Sequence, residues 1–265
     1  MKILYIGDVM GAAGRQAVAG ILPVLRTEYS IDFVIAQAEN VSHGVSMTPQ
    51  HMQELMSYGI DAFTGGNHTY KKNGLHDFLK DDDQPVIGPA NLPINPGKGY
   101  KFVSTTHGDV LIVSILGTIF PLKENEEITN PLKAIDDVLL SIKGRRTSAI
   151  IVNFHGDWSS EKVVFGQYLD GRVSAVIGDH WHVPTADARV LPKGTAHISD
   201  VGMTGALNSC LGVKTDVIIE RWRDGVKNKN DLEEEKPWQL NAVLVDIDQN
   251  GLSRTITHIH KEISV

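Results

Sequence analysis

The chain has 265 residues, 42% of them hydrophobic, and its formal net charge at pH 7 is −7. This is enough apolar material for one domain with a sizeable core, and a negative charge without a long basic run argues against binding to duplex nucleic acid. The single cysteine, Cys210, excludes an intrachain disulfide and a zinc site made of cysteines. No run approaches ~18 continuous apolar residues, so we predict no membrane span and expect a soluble, cytoplasmic protein.

The first part of the chain alternates between strand-like and helix-like segments. Three short runs rich in apolar residues predict buried strands at residues 2–8, 32–40 and 61–68. Two segments between them have helical spacing, at residues 14–29 and 48–59. Thr48 is placed to cap the second helix, and Pro49 suits its first turn. This β-α-β-α-β order predicts an α/β layered fold whose strands are buried on both faces.

The rest of the chain continues this pattern less regularly. Residues 81–99 are rich in Pro, Asn and Gly and predict an irregular excursion. We predict one further helix at residues 131–144 and a polar connector at residues 223–237. Further strands are predicted at residues 109–117, 148–157, 173–182, 194–202, 241–248 and 253–260.

Side chains that can bind metal follow five of the predicted strands, each at the point where its strand ends. They are Asp8, Glu39, Asn40, Asn67, His155, His180 and His182. Ligands of an open α/β sheet bind beyond the carboxyl ends of its strands, so we expect these side chains to meet. Imidazole nitrogens with carboxylate and amide oxygens suit Mn²⁺, Fe²⁺ or Zn²⁺. Seven ligands are too many for one such ion and suit two ions that share a carboxylate, an arrangement used in phosphoryl displacement.

Each of these residues also has a plain structural interpretation when it is taken alone. Asp8 can cap a helix, Glu39 and Asn40 can form an ordinary turn, and a single histidine is usually a surface or core residue. His180 and His182 alternate along a predicted extended segment, which would turn both rings to one side. The prediction of a metal site therefore depends on the position that all these residues share.

At these residues the sequence resembles the YmdB-type metallophosphoesterases of the calcineurin-like superfamily. The matching stretches run from the first strand to the last and include ILYIGDVMGAAGR, AENVSHG, GGNHT, NFHGDWSSEK and YLDGRVSAVIGDHWHV. The resemblance implies a four-layered α-β-β-α sandwich that forms a single metallophosphoesterase domain over residues 1–265. It leaves open a small cap formed by the irregular stretch at about 81–130. The implied activity is metal-dependent hydrolysis of phosphodiesters, notably 2′,3′-cyclic nucleotides.

Carried over by position, the resemblance implies two metal sites that share one carboxylate. One ion would be held by Asp8, Glu39, Asn40 and His182. The other would be held by Glu39, Asn67, His155 and His180. His68 matches the family histidine that contacts phosphate and protonates the leaving oxygen. The implied cofactors are two divalent or mixed-valence transition-metal ions, with Fe or Mn expected ahead of Zn.

Four positions depart from the family pattern. Tyr70 stands where the family usually has Trp, and Thr118 follows a glycine where the family often has Arg. Asp179 and Trp181 flank His180 where the family often has threonines. None of these changes removes a ligand, but each new side chain could line the pocket and alter the choice of substrate.

Two interpretations of the function stay open. The first is a binuclear phosphodiesterase acting on a small phosphodiester or a cyclic nucleotide. The alternative is a metal- or nucleotide-binding regulatory protein with weak catalysis that acts through protein or RNA contacts. His68 favours the enzyme, because a regulator has no need of a general acid. We predict neither duplex nucleic acid nor a membrane as a partner, and homo-oligomerisation is left open.

Overall fold

Two β-sheets stacked face to face form the centre of the computed structural model, which describes residues 1–118 and 128–264. Within these residues, the strands in chain order are β1 (Lys2–Ile6), β2 (Asp8–Val9), β3 (Phe33–Gln37), β4 (Ala62–Thr64), β5 (Tyr100–Thr105), β6 (Gly108–Leu116), β7 (Ala149–His155), β8 (Ala175–Asp179), β9 (Arg189–Val190), β10 (Ala196–Ile198), β11 (Met203–Ala206), β12 (Trp238–Ile247) and β13 (Ser253–Ile263). The α-helices are α1 (Gly11–Tyr29), α2 (Pro49–Ser57), α3 (His76–Lys80), α4 (Pro131–Ser141), α5 (Ser159–Tyr168) and α6 (Thr215–Asp224). A 3₁₀ turn (Asn73–Leu75) precedes α3.

The order of the strands places the ends of several parallel strands at one edge of each sheet. In the first sheet the order is β2-β11-β12-β1-β3-β4, and β13 pairs with β12. In this sheet β1, β3 and β4 run parallel. In the second sheet the order is β5-β6-β7-β8-β10-β9, with β6, β7, β8 and β10 parallel. Parallel strands present their carboxyl ends together, and this creates a common edge for a site.

Alternate residues of the strands divide the interior into three apolar cores. On β1, Leu4 and Ile6 face one side and pack with α1 and α2, whereas Ile3 and Tyr5 face the second sheet. On the second sheet, the outward residues of β6 and β7 pack against α4 and α5. A core between the sheets and one beneath each helical layer define four layers in the order α-β-β-α, as the sequence led us to expect.

The sequence located most of the elements, including the start of α2. The backbone N–H of His51 donates to Thr48 Oγ1 over 3.3 Å, and Pro49 is the first helical residue. Three helices, α3, α5 and α6, were not predicted. Of these, α3 has only five residues, too few to show a helical pattern. The inner face of α5 includes Lys162, which is buried and interrupts the apolar spacing of a helix. On α6 no side chain is fully buried, so its sequence lacks a clear apolar stripe.

The irregular excursion predicted at residues 81–99 contains no helix and no named strand. Beyond it, β5 and β6 pair antiparallel as part of the second sheet. Residues 119–127 lie outside the described residues, and the small cap over about 81–130 stays a prediction, as does the single domain over residues 1–265. None of the helices in the described part of the chain is long and apolar enough to cross a membrane.

Candidate metal centre

The residues predicted as metal ligands lie together where strands of both sheets end. The first sheet contributes the oxygen-bearing side chains, which follow β1, β3 and β4, and the second contributes the histidines at the ends of β7 and β8. The oxygen-bearing group is Asp8, Glu39, Asn40 and Asn67. The imidazole group is His155, His180 and His182.

Glu39 is the centre of the first cluster of possible ligands. Its Oε1 lies 3.1 Å from His155 Nε2, and that nitrogen is 2.9 Å from Asn67 Oδ1. The His180 ring packs edge-on against the His155 ring, with 4.8 Å between ring centroids. One ligand atom each from Glu39, His155 and His180 lies within 4.8 Å of the others. Both Glu39 and His155 are fully buried or nearly so, and little of these two side chains contacts water.

Asp8, Asn40 and His182 form a second cluster beside the first. His182 Nε2 lies 3.8 Å from Asp8 Oδ2 and 3.3 Å from the Asn40 amide nitrogen. That amide nitrogen also donates to Asp8 Oδ1 over 3.0 Å. The Asn40 amide oxygen faces away from this cluster and lies 2.8 Å from His68 Nδ1. Asn40 can therefore offer oxygen to an ion here only if its amide rotates, whereas in the observed orientation it holds the His68 ring.

The chain after β8 brings His180 and His182 to the site in a way that the sequence did not predict. We expected an extended segment to turn both rings to one side, but β8 ends at Asp179. His180 and His182 have φ angles of 108° and 63°, so the backbone bends in the left-handed region at both residues. The Trp181 N–H donates to Asp200 Oδ2 over 2.8 Å and helps to hold this bend. Strain of this kind persists only where the surroundings fix it.

A buried carboxylate that the ligand prediction did not include supports His155 from behind. Asp179 Oδ1 lies 2.7 Å from His155 Nδ1. Its other oxygen accepts hydrogen bonds from the Tyr5 hydroxyl, the Gln37 amide and the Asn153 amide. The sequence signal for this role is the position of Asp179 directly before His180 at a strand end, although the sequence alone predicts only that its side chain could line the pocket.

Gly66 is required because the site presses against its backbone. A Cβ atom built on Gly66 would lie 2.5 Å from the His155 ring and 2.6 Å from Glu39 Oε2. The next residues then turn, so that the His68 N–H donates to Glu39 Oε2 over 2.8 Å. Gly66 therefore lets the chain approach the two predicted ligands closely.

The carboxylates of Glu39 and Asp8 differ in how well their charges are compensated. Burial raises the pKa of Glu39, but His155 and His68 outweigh burial and lower that pKa to about 2. Burial raises the pKa of Asp8 well above its ordinary value, and the nearby carboxylates of Asp179 and Glu39 raise it further. A divalent cation bound here would offset this repulsion.

The histidines of the site differ in protonation. Burial lowers the pKa of His180 to about 3, and burial also lowers the pKa values of His182 and His68. These rings are neutral at pH 7 and offer lone pairs to a metal. Burial lowers the pKa of His155 as well, but the two carboxylates that face its ring raise it well above its ordinary value.

A cleft of about 360 Å³ opens over the two clusters. Glu39, His68 and His180 line its polar part, and Leu211 and Trp222 line an apolar part beside it. Its volume falls within the range of roughly 300–1,000 Å³ that is usual for sites of small ligands.

The four departures from the family pattern do not line this cleft. Tyr70 packs against the core beneath α1 and α2, and the Thr118 N–H donates to the Glu161 carboxylate. Asp179 is fully buried behind His155, and the Trp181 ring covers the Lys162 ammonium at 4.3 Å. These four side chains can therefore affect the choice of substrate only indirectly, by positioning the residues that they contact.

A sequence profile of the family described as YmdB-like protein matches residues 4–259. The chain belongs to this family. A 2′,3′-cyclic-nucleotide 2′-phosphodiesterase of Bacillus subtilis (strain 168) is 41% identical to it over 249 residues, which cover 94% of this chain and 92% of that relative. The resemblance that we recognised in the sequence motifs is thus confirmed over nearly the whole chain.

Solved structures also match the fold of this YmdB-like chain. A phosphatase from Mycoplasma pneumoniae superposes with a TM-score of 0.90 at 32% identity, covering 99% of this chain and 93% of that one. A 5′-nucleotidase precursor from Thermus thermophilus superposes with a TM-score of 0.57 at 12% identity, covering 99% of this chain and 54% of that one. The second likeness shows the fold alone. The four-layered α-β-β-α sandwich that the resemblance implied is confirmed.

The side chains of the site fit the divalent metal ions that metallophosphoesterases use. They combine neutral imidazoles with buried carboxylates, and the carboxylates of Asp179 and Glu39 help to raise the pKa of Asp8. Such a set suits transition metals that accept both nitrogen and oxygen. Asp179 behind His155 adds the carboxylate that commonly orients a metal-binding histidine. The assignment of each residue to one of two ions stays a prediction.

Proposed function

We propose that this chain is a binuclear metal-dependent phosphodiesterase that hydrolyses 2′,3′-cyclic nucleotides. One observation carries the proposal: ligand atoms of Glu39, His155 and His180 lie within 4.8 Å of one another. These atoms border a cleft that His68 also lines. The name of the Bacillus subtilis relative, at 41% identity, supports the choice of substrate.

Two groups of residues would hold the ions, with Glu39 between them. The first group is Asp8, Glu39, Asn40 and His182, and the second is Glu39, Asn67, His155 and His180. Bound ions would polarise the phosphoryl group and lower the pKa of water near it. We propose Mn or Fe for both positions, with Zn as the third choice.

His68 is the proposed general acid. The Asn40 amide oxygen lies 2.8 Å from His68 Nδ1, which fixes that nitrogen as the protonated one when the ring is neutral. Nε2 is then the nitrogen that exchanges a proton with the leaving oxygen of the substrate. Burial lowers the pKa of His68, so its protonated ring is a stronger acid than free imidazolium. The hydrogen bond from the His68 main-chain N–H to Glu39 Oε2 holds the proposed acid beside the proposed metal position.

Metal analysis and turnover together test this function. Protein produced with added Mn²⁺ or Fe²⁺ should contain about two ions per chain and convert 2′,3′-cyclic AMP to adenosine 3′-monophosphate. Asp109→Asn is a suitable control, because Asp109 lies outside the two clusters. Its carboxylate accepts hydrogen bonds from Ser104 on β5 and from Arg145, which follows α4. Protein that binds nucleotide without converting it would favour the regulatory alternative.

The same proposal includes the compartment and the partners of the enzyme. We expect the enzyme to act in the cytoplasm on small substrates, without duplex nucleic acid or a membrane as a partner. Homo-oligomerisation is left open and can be measured by analytical ultracentrifugation of the same preparation.

A further inference from the structure

An exposed apolar surface lies beside the metal-binding clusters and takes no part in the chemistry proposed above. It is formed by α6 and the loop before it, and we call it the α6 wall. Its most prominent member, Trp222, is 85% exposed, and Ile219 and Leu211 are each 50% exposed. Trp222 has the largest exposed fraction of the large hydrophobic side chains in residues 1–118 and 128–264. A tryptophan turned fully to water forgoes burial of its ring and so points to a ligand.

The α6 wall and the proposed ligands border the same cleft. Trp222, Leu211 and Ile218 line its apolar part, and Glu39 and His180 line its polar part. A molecule with an anionic end and a flat apolar end matches this division of the surface. A nucleotide is such a molecule, because its phosphate is charged and its base has two apolar faces.

The α6 wall is held in place by side-chain hydrogen bonds. The Arg221 guanidinium donates to the Asn228 side chain and carbonyl and to Asn230 Oδ1. The Asn228 amide in turn donates to the carbonyl of Val217 on α6 over 3.1 Å. The helix and the loop after it are therefore tied together, and Trp222 projects from a supported surface.

We propose that Trp222 stacks against the nucleobase of the substrate while the phosphodiester lies at the metal-binding clusters. This inference rests on the proposed function and adds the residue that recognises the base. Every base offers a π-face, so stacking would accept purines and pyrimidines alike and favour the larger purines. The cleft volume of about 360 Å³ and its continuity from Glu39 to Trp222 support one nucleotide as the occupant.

The test compares two substrates that share the reacting bond. One is 2′,3′-cyclic AMP, and the other is a methyl riboside 2,3-cyclic phosphate, which has no base. For Trp222→Ala we expect KM for 2′,3′-cyclic AMP to rise about 10-fold with little change in kcat, since loss of a base–aromatic stack weakens binding by about 5- to 150-fold. The constants for the base-free substrate should change less than about twofold. Trp222→Phe should restore most of the loss.

A matched control is Leu140→Ala, which removes another exposed apolar side chain, 68% exposed, from α4. It should leave both substrates unaffected. Equal changes on both substrates in Trp222→Ala, or no change on either, would overturn the stacking role. If Trp222→Ala converts a dimer to monomer and leaves KM unaltered, a second copy of the chain covers the wall and the proposal is wrong.

Binding measurements separate this inference from the proposed function. Calorimetry with adenosine 3′-monophosphate should show tighter binding to the wild type than to Trp222→Ala. If the wild type hydrolyses neither substrate but shows this difference, the phosphodiesterase proposal fails and the stacking role stands. If it hydrolyses the base-free substrate and binds the nucleotide no better than the variant does, the stacking role alone fails.

Discussion

His155 Nδ1 lies 2.7 Å from Asp179 Oδ1, and both side chains are fully buried. The opposite nitrogen of the same ring faces Glu39 and Asn67. One carboxylate thus fixes which nitrogen of His155 carries the proton and which is directed at the ligand cluster. This is the usual relation between a metal-binding histidine and the carboxylate that orients it.

We predict that Asp179→Asn weakens metal binding by about 10- to 100-fold, because the ring loses the charge that orients it and makes it basic. Titration calorimetry with Mn²⁺ measures the effect, and circular dichroism checks that the fold is retained. Asp109→Asn, at an exposed pair with Arg145, should bind metal as the wild type does. Unchanged affinity in a folded Asp179→Asn protein would show that His155 needs no such support.

Glu39→Gln should be more damaging than Asn40→Ala. Glu39 Oε1 and Oε2 face different partners, and its charge would be shared by both ions, whereas the Asn40 oxygen is directed at His68. We expect Glu39→Gln to lose metal and turnover together. Asn40→Ala should keep more metal than Glu39→Gln and lower turnover through a less ordered His68. Elemental analysis measures the metal content of both variants and shows which of them loses more, with Glu54→Gln on α2 as the control. Two retained ions in Glu39→Gln would mean that Glu39 is not the bridge.

His68→Ala should separate chemistry from metal binding. Removal of a positioned acid lowers turnover by about 10²–10⁴-fold, and the proposed ligands stay in place. The loss should be large on a cyclic nucleotide, whose ribose alkoxide leaves poorly without a proton, and small on a nitrophenyl diester. Kinetics on both substrates, with metal content measured in parallel, test this. Equal losses with both ions retained would indicate a role in phosphate positioning, and loss of an ion would make His68 a ligand.

Gly66→Ala should disrupt the site, because the new methyl group would meet His155 and Glu39 at 2.5 and 2.6 Å. Distances this short require the ligands or the backbone to move. We expect weaker binding of Mn²⁺ and a lower melting temperature in thermal unfolding. In Gly74→Ala the nearest neighbour, a Pro49 side-chain atom, is 3.3 Å away, so this control should be milder. Wild-type metal affinity in Gly66→Ala would show that the site tolerates a methyl group beside His155 and Glu39.

Metal binding should release protons. Burial lowers the pKa of His155, but Glu39 and Asp179 raise it well above its ordinary value, and burial raises the pKa of Asp8. Without metal both groups hold protons at pH values where the free groups have lost them, so a cation displaces those protons and its affinity rises with pH. Calorimetry of Mn²⁺ binding at pH 7 in two buffers of different ionisation enthalpy gives the number of protons released on binding. Identical heats in both buffers would rule out the release.

The sequence was sufficient to predict the strands that lead to the site and the edge that they share, because buried strands and their polar ends leave local patterns. The strands β5, β9 and β11 were not predicted. The sequence could not show how His180 and His182 arrive at the site, since the two left-handed residues depend on contacts such as that from Trp181 to Asp200. The position of Asp179 at a strand end was a local signal, but its role could not be predicted from it, because the partners of Asp179 come from three other strands, β1, β3 and β7. On α6 no side chain is buried, so the sequence has no periodic apolar signal there, and only the structure shows that the exposed Trp222 lies beside the cleft.

The proposed oxygen donors come from one sheet and the proposed imidazole donors come from the other, and this division has a mechanical consequence. An ion held by both kinds of donor would connect the two halves of the sandwich at their common edge. A shift of one sheet against the other would then change the distances from both kinds of donor to the ion. The packing of Tyr5, Ile35 and Ile151 between the sheets would therefore help to fix those distances. Conversely, an ion present at 100 times its dissociation constant would add about 2.7 kcal/mol to the stability of the whole stack. The enzyme would then be most rigid when it is loaded and ready to react.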